Sequence, residues 1–396
     1  MTLLKTFWCQ RDKILLLLIY VAVFFLPFNI TVTNITLVAA SAISIITYVK
    51  EKKAGLTLAV LPIVFFPFFL ISLLTSEDFE KAVSWLEIGS SFIYIPIIFC
   101  LSKAVFTPAI TSKILTVFVV GILLYCLYHY LTIAWSHEQF LPNTAKENYT
   151  YHEPFSRYAF AGSYPVYLSV FILFSLIIVF EKLPGNKVVL MLSIALSAFF
   201  LIILSSKNQI IVYFPVLSFL LWRHIHSKAW VKLISVIIIL TVIVFLGAKD
   251  GQIRYRFGKE ISKAESDRFY LWDAAIQIAS ENLFAGVGIG DRSRILQEKL
   301  AVKNQDLALT YNNAHNQFLD FLIAFGLFGL IAFLIVLFAP FILRTNTIFI
   351  LLILIIVAAS MTESFLFRQK GVSFFLLFYG LLGCPYNIFA GKGQRM

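Results

Sequence analysis

Charge is the first thing this sequence lacks. Of its 396 residues only 13% are charged, while 60% are hydrophobic and 41 are Phe. A soluble domain carries roughly 25% charged residues and is less than half apolar. This chain cannot cover its surface with polar groups, so its solvent is mostly lipid. Its mean hydropathy of +0.88 agrees. Cysteine is sparse too. Cys9, Cys100, Cys126 and Cys384 form no C-x-x-C pair, and each lies in or beside an apolar run. That excludes a disulfide framework and a zinc site and leaves small buried hydrophobes. There is no Walker A sequence, no H-E-x-x-H, and no pair of closely spaced carboxylates on the outer side of the kind that holds a divalent metal. Gly286-x-Gly288-x-Gly290 follows a helical pattern rather than a strand, so it is no dinucleotide fingerprint. No cofactor and no metal are expected. The net charge of +11 invites a nucleic-acid reading. Most basic residues, however, sit in short loops between apolar runs, which excludes a nucleic-acid partner.

What the chain does have is long apolar runs. A bilayer-spanning helix needs roughly 17–25 mostly apolar residues. That criterion gives about twelve spans: 14–30, 33–49, 56–74, 84–102, 110–133, 163–180, 187–205, 208–222, 230–247, 317–338, 345–361 and 371–389. The first, behind Lys5, Arg11 and Lys13, has no small-residue cleavage pattern after it and reads as a retained helix. The expected fold is all-α, a polytopic integral membrane protein forming a single membrane domain over 1–396.

Orientation follows from loop charge. With the N-terminus in the cytoplasm, the inside segments carry Lys50, Lys52 and Lys53, then Lys103 and Lys113, Lys182 and Lys187, Arg223, Lys228 and Lys232, Arg344, and Lys392 and Arg395. The outside segments are acidic or mixed. This alternation supports an even number of spans, with both termini cytoplasmic. Two outside segments are long. The smaller is 134–162. The larger, 248–316, falls between spans 9 and 10 and is far beyond an ordinary connection. Long loops on a rigid scaffold usually carry function. The larger loop is itself helical. Phe269, Trp272, Ile276, Ala279 and Leu283 recur at helical spacing, the pattern ends near Asn282, and a more polar helical stretch follows over 291–303.

At the end of that loop stands Asn312-Asn313-Ala314-His315-Asn316-Gln317, directly before the run Phe318–Phe338. His315 at this junction either accepts a proton from an attacking hydroxyl, oriented by the amides around it, or is a solvated residue beside amides that only cap the helix. Asn313 and Asn316 are candidates to bind sugar hydroxyls. Arg268 stands near the start of a helix, where free N–H groups favour an anion. It either grips a phosphate through its bidentate fork or snorkels over Phe269 and Trp272. Lys207, in the turn Ser205-Ser206-Lys207-Asn208, either neutralises a lipid-linked phosphate or touches headgroups. Arg157, ahead of the sixth span, has the same two readings. Arg368 and Lys370 have weaker claims.

These residues form a pattern. Asp267-Arg268-x-x-Leu271-Trp272-x-x-Ala275-x-x-Ile278, Asn282, Gly286-Val287-Gly288-x-Gly290-Asp291, Asn313-Ala314-His315-Asn316-Gln317-Phe318 and Ala324-Phe325-Gly326-Leu327-x-Gly329-Leu330 follow in order. The set resembles the bacterial O-antigen ligase and O-antigen polymerase family, and most closely its members from Bacteroidota. The motifs cover about a fifth of the chain.

The resemblance implies a GT-C-like glycosyltransferase of the bacterial inner membrane whose chemistry faces the periplasm. It implies a glycan donor on undecaprenyl pyrophosphate. The implied acceptor is lipid A–core for a ligase, another lipid-linked repeat for a polymerase, or a protein hydroxyl for the related protein O-oligosaccharyltransferases. It assigns catalysis to His315 and pyrophosphate binding to Arg268. It also expects an arginine just after the seventh span, where this chain has Lys207. Lysine keeps the charge and loses the fork. One base and several cations suffice for inverting, metal-independent displacement of a pyrophosphate. A lipid-linked sugar transporter, the non-enzyme alternative, is expected to carry charges within its spans and an internal repeat. The ionisable residues instead cluster in the outside loops.

Overall fold

The computed structural model describes residues 2–51, 57–136, 165–204, 207–224, 267–303, 305–311 and 313–386. The elements in these stretches are helices: α1 (Thr2–Phe25), α2 (Ile30–Glu51), a 3-10 helix Leu58–Phe65 running into α3 (Phe66–Thr75), α4 (Phe79–Leu101), α5 (Pro108–Ser136), α6 (Pro165–Lys182), α7 (Lys187–Leu204) and α8 (Lys207–His224). After α9, which occupies 267–281, come α10 (Arg292–Ala301), α11 (Gln305–Thr310), α12 (Gln317–Ile342), α13 (Thr347–Ser360) and α14 (Gln369–Gly383).

Among the described residues, six helices are long and apolar enough to cross a membrane: Ile30–Val49, Leu58–Thr75, Phe79–Leu101, Pro108–Thr132, Pro165–Lys182 and Gln317–Ile342. Lys187–Ile202 and Thr347–Ser360 are shorter apolar helices. The described residues are therefore all-helical, and their apolar helices make the protein a multi-pass membrane protein. The expected ninth span, 230–247, and most of the 134–162 loop lie outside the described residues.

Helix starts are set by short polar side chains, as free N–H groups require. The Oδ1 of Asn29 accepts from the Thr31 N–H at 2.9 Å. Asp78 accepts from Lys81 at 2.9 Å, Asn186 from Val189 at 3.1 Å and Asn346 from Phe349 at 2.9 Å. Each cap costs one polar residue in a sequence that has few. Where the backbone cannot be regular, proline appears: Pro62 lies in the 3-10 turn and Pro67 in the first turn of α3.

The chain divides into two compact units. The first comprises Met1–Val117, Arg268–Ile353 and Ser360–Met396, the second Phe118–Asp267 and Leu354–Ala359. In the first unit α4 packs against α2, α3, the 3-10 helix and α14. Its interior is aromatic. Phe65 lies 5.2 Å from Phe321 and 5.4 Å from Phe92 between ring centroids, and Phe69 lies 5.1 Å from Phe325. In the second unit α6 is buried along most of its length against α7 and α8. The Tyr213 hydroxyl donates to the Ile194 carbonyl at 3.0 Å.

The helices α9, α10 and α11 form a cap within the first unit around a small core. Leu271, Ala274, Ala275 and Ile278 of α9 meet Leu296 and Leu300 of α10, Ala308 of α11, and Ala314. This differs from the expected stripe. Phe269, Ile276 and Leu283 are exposed, and of the five expected positions only Ala279 is fully buried, with Trp272 partly so. The inner face is the line Leu271, Ala274, Ala275 and Ile278, and Phe269, Ile276 and Leu283 lie on the opposite side of the helix.

Candidate active site

The strap 282–291 after α9 crosses α12, and two glycines make the crossing possible. α12 breaks at Gly326, with φ 66° and ψ −165°. The carbonyls freed there are taken up by the strap: Val287 N–H donates to Ile323 O at 2.8 Å and Gly288 N–H to Ala324 O at 3.2 Å. In return Leu327 N–H donates to Leu283 O at 2.7 Å. A Cβ on Gly326 would lie 2.2 Å from the Phe284 carbonyl oxygen, and one on Gly286 would lie 2.5 Å from Ile323 O. The G-V-G-x-G and A-F-G-L motifs are thus two halves of one contact. Beyond it, Asp291 accepts the backbone N–H groups of Glu77 at 2.5 Å and Asp78 at 3.3 Å, anchoring the strap to the start of α4. Asp291 also accepts from Arg294 at 2.9 Å, and that bond, followed by one to Glu298, raises the Arg294 pKa further above its ordinary value.

The crossing delivers the chain to 313–317. Asn316 caps α12, its Oδ1 accepting from Phe318 at 3.0 Å and Leu319 at 3.2 Å. Asn313 instead ties the loop together. Its Oδ1 accepts the His315 N–H at 2.9 Å and the Ser364 hydroxyl at 3.2 Å. Between them Ala314 is fully buried. Its N–H donates to Asp320 Oδ1 at 3.2 Å, and its carbonyl accepts from the Trp272 indole of α9 at 3.1 Å. With both neighbours fixed, His315 adopts φ 46°. An L-residue in this left-handed region bears roughly 1–2 kcal/mol of strain. That strain persists only where the surroundings over-determine the backbone.

The His315 ring lies edge-on to Tyr311, with centroids 5.4 Å apart and an interplanar angle of 89°. Its Nδ1 is 3.2 Å from Glu363 Oε2, and both side chains are about a third exposed (28% and 30%). An ionised carboxylate only accepts, so opposite one Nδ1 is the donor, and in the neutral ring that tautomer leaves the lone pair on Nε2. The 361–367 segment is pinned to α12 beside it. Asn316 Nδ2 donates to Met361 O at 3.4 Å and Leu366 N–H to Gln317 Oε1 at 2.6 Å. The Ser364 hydroxyl bonds Asp320 Oδ2.

Beneath the histidine lies a buried ion pair. Arg292 Nη1 donates to Asp320 Oδ1 at 2.7 Å, with the two side chains 4% and 0% exposed. The guanidinium also stands 4.2 Å from the Phe367 ring centroid and 5.6 Å from that of Trp85. Asp320 falls inside the expected span 317–338, against the expectation that ionisable residues keep to loops. A charge within an apolar run is the signal that marks it. Glu363, Arg292 and Ser364 carry no such signal, because their partners lie 48, 28 and 44 residues away in sequence.

Of the expected site residues, the first unit holds His315, Asn313, Asn316 and Arg268. Arg268 sits one turn before Trp272 on α9, partly buried, and among the described residues it makes no hydrogen bond or ion pair. Lys207 opens α8 in the second unit. Arg157 and Asn312 lie outside the described residues. Among the described residues no group of three or more His, Cys, Asp or Glu side chains is placed to hold a metal ion.

Residues 192–334 match the family model for O-antigen ligase. Over this stretch, about a third of the chain, the protein is similar to the O-antigen ligase family. The matched stretch contains α9, the glycine crossing and His315, and it stops short of Glu363. No curated protein matches the chain. The match and the apolar helices together support a membrane glycosyltransferase of O-antigen or polysaccharide assembly.

Proposed function

We propose that the protein transfers a glycan from undecaprenyl pyrophosphate to an acceptor hydroxyl on the periplasmic side of the bacterial inner membrane, ligating O-antigen to lipid A–core. The observation that carries this reading is the His315–Glu363 pair, a half-buried imidazole whose Nδ1 is engaged and whose Nε2 is left as a base. Nε2 takes the proton of the acceptor hydroxyl. The hydroxyl oxygen attacks the anomeric carbon from the face opposite the pyrophosphate. The carbon–oxygen bond to pyrophosphate breaks with inversion, and undecaprenyl pyrophosphate departs with the bonding pair. Glu363 steadies the imidazolium that forms. A pyrophosphate leaves without a general acid when cations meet its developing charge. Arg268 supplies one, Lys207 stands where the family resemblance expects an arginine of the same role, and Arg157 is a weaker substrate-binding candidate. Asn313 and Asn316 are already engaged in the fold, which makes them positioning residues in this reading.

The twelve-span topology, with cytoplasmic termini and the 248–316 and 134–162 segments in the periplasm, belongs to the same proposal. Its test is gene deletion followed by gel analysis of lipopolysaccharide, with complementation by variants. Loss of all glycan on core, restored by the wild type and not by His315→Ala, is the expected result. A single repeat left on core would identify a polymerase, and unchanged lipopolysaccharide another glycan or a protein acceptor. A His315→Ala protein that inserts and fully restores ligation would overturn the mechanism. Arg268→Ala is expected to raise the donor KM more than the acceptor KM.

A further inference from the structure

The outward face of α9 is apolar where a water-facing helix would be polar. Phe269 is 69% exposed and Ile276 57%, and Leu283 continues their line just beyond the helix. These positions recur every seven residues, about 10 Å apart along one side. The opposite side is the alanine face already used by the cap core. The outward stripe does not stop at the strap. Phe284, 63% exposed, lies 6.2 Å from Phe328 of α12 between ring centroids. Phe328 begins a second stripe, since Phe328, Ile331, Ile335, Phe338 and Ile342 are all exposed on one side of a helix apolar enough to cross a membrane. Before the break at Gly326, by contrast, α12 buries Gln317, Asp320, Phe321, Ile323, Ala324 and Phe325 in protein. The outer stripe of α12 therefore begins at Phe328, and the stripe of α9 joins it at that point.

The flanks of the α9 stripe fit a lipid surface. Its acidic side chains Asp273 and Glu281 are neutralised by lysines of the next segment, Asp273 by Lys303 and Glu281 by Lys299 at 2.6 Å. An exposed apolar stripe with paired charges beside it is the composition of a helix at a bilayer interface. We propose that α9 lies in the plane of the membrane, with Phe269, Ile276, Leu283 and Phe284 among the acyl chains of the leaflet that Phe328 enters. The lipid-facing stripe of α12 then begins at about 328, while the inner side of 317–326 packs in protein. This orientation sets Arg268 at headgroup level, where a lipid-linked pyrophosphate must sit. Assigning the leaflet as periplasmic rests on the function proposed above.

The test uses the full-length protein, freed of its four native cysteines and reconstituted in phosphatidylethanolamine–phosphatidylglycerol vesicles. Single spin labels at 269, 276, 283 and, as reference, 281 are read for collision with oxygen, which partitions into lipid, and with a water-soluble nickel chelate. The expected result is an oxygen-to-nickel ratio several-fold higher at 269, 276 and 283 than at 281. Equal ratios would show a water-facing helix and overturn the proposal. Protection from both reagents would show that protein covers the stripe and would overturn it too. Since all four positions are exposed, the labels leave the cap core intact. The readout involves no glycan transfer, so it holds or fails separately from the proposed chemistry: a His315→Ala protein must give the same ratios.

Discussion

Replacing Asp320 with Asn removes one charge from the ion pair under the histidine and leaves its shape. In the native protein Asp320 accepts from Arg292 at 2.7 Å and from the Ala314 N–H at 3.2 Å, with Ser364 on its other oxygen. The asparagine carbonyl still accepts from Ala314. The Arg292 guanidinium, 4% exposed, loses its counter-charge. Breaking a buried pair from one side costs about 3–5 kcal/mol, most of it the penalty of an uncompensated charge. The rings of Phe367 and Trp85 hold the cation in either case, a contribution of up to about 2 kcal/mol when desolvated, so the lower end, about 3 kcal/mol, is expected. Arg292→Met alone strands the carboxylate and costs a similar amount. The double variant strands nothing, and its loss should fall short of the summed single losses by about 2–3 kcal/mol. Chemical unfolding in mixed lipid–detergent micelles measures all three. An Asp320→Asn protein within about 1 kcal/mol of wild type, or strict additivity in the cycle, would refute the argument that this charge is buried and paired.

Other substitutions separate the parts of the site. Gly326→Ala places a methyl against the Phe284 carbonyl at a left-handed position and should cost at least about 2 kcal/mol. Gly185→Ala, whose Cβ meets nothing within 4 Å, should be neutral in the same chemical unfolding assay. His315→Gly and His315→Ala should both abolish transfer, while the glycine variant is more stable by about 1 kcal/mol because φ 46° suits glycine. Equal stability of the two would mean the backbone is not held in that conformation. Glu363→Gln retains an acceptor for Nδ1–H and should lower kcat about tenfold, and Glu363→Ala about a hundredfold. Acceptor KM and thermal midpoint should not change in either, and an unaltered kcat would remove Glu363 from the site.

The starts and ends of most helices are written locally, and this part of the fold was legible. Asn316 caps α12 where the polar run meets the apolar one, α9 ends at 281 beside Asn282, and Arg292–Ala301 fills the polar stretch expected at 291–303. The inner face of α9 was not legible, because its apolar residues lie on both sides. The line of Phe269, Ile276 and Leu283 points away from Leu271, Ala274, Ala275 and Ile278, which bury. His315 could be found from its motif. Glu363 and the Arg292–Asp320 pair could not, since each joins segments that only the folded chain brings together. The two glycine motifs could be read separately, but not as each other's partners. That relation depends on Gly326 breaking α12 and freeing carbonyls for the strap.

A base and a cation that act on one reaction must keep a fixed separation, and errors of about 1 Å are costly. Here that separation runs through a short chain of contacts. Arg268 and Trp272 lie four residues apart on α9, so their Cβ atoms are about 5–6 Å apart. Trp272 grips the Ala314 carbonyl at 3.1 Å, and Ala314 is bonded to His315. Ala314 is also tied to Asp320 and packed in the α9–α10 core, so it cannot shift without disturbing both. The strain at His315 then has a structural origin. Ala314 is fixed by Trp272 of α9 and by Asp320 of α12, Asn316 is fixed by the first turn of α12, and the left-handed turn joins these two anchors. A more relaxed backbone at 315 would require one of them to move, and with it either the cation on α9 or the carboxylate that steadies the imidazole.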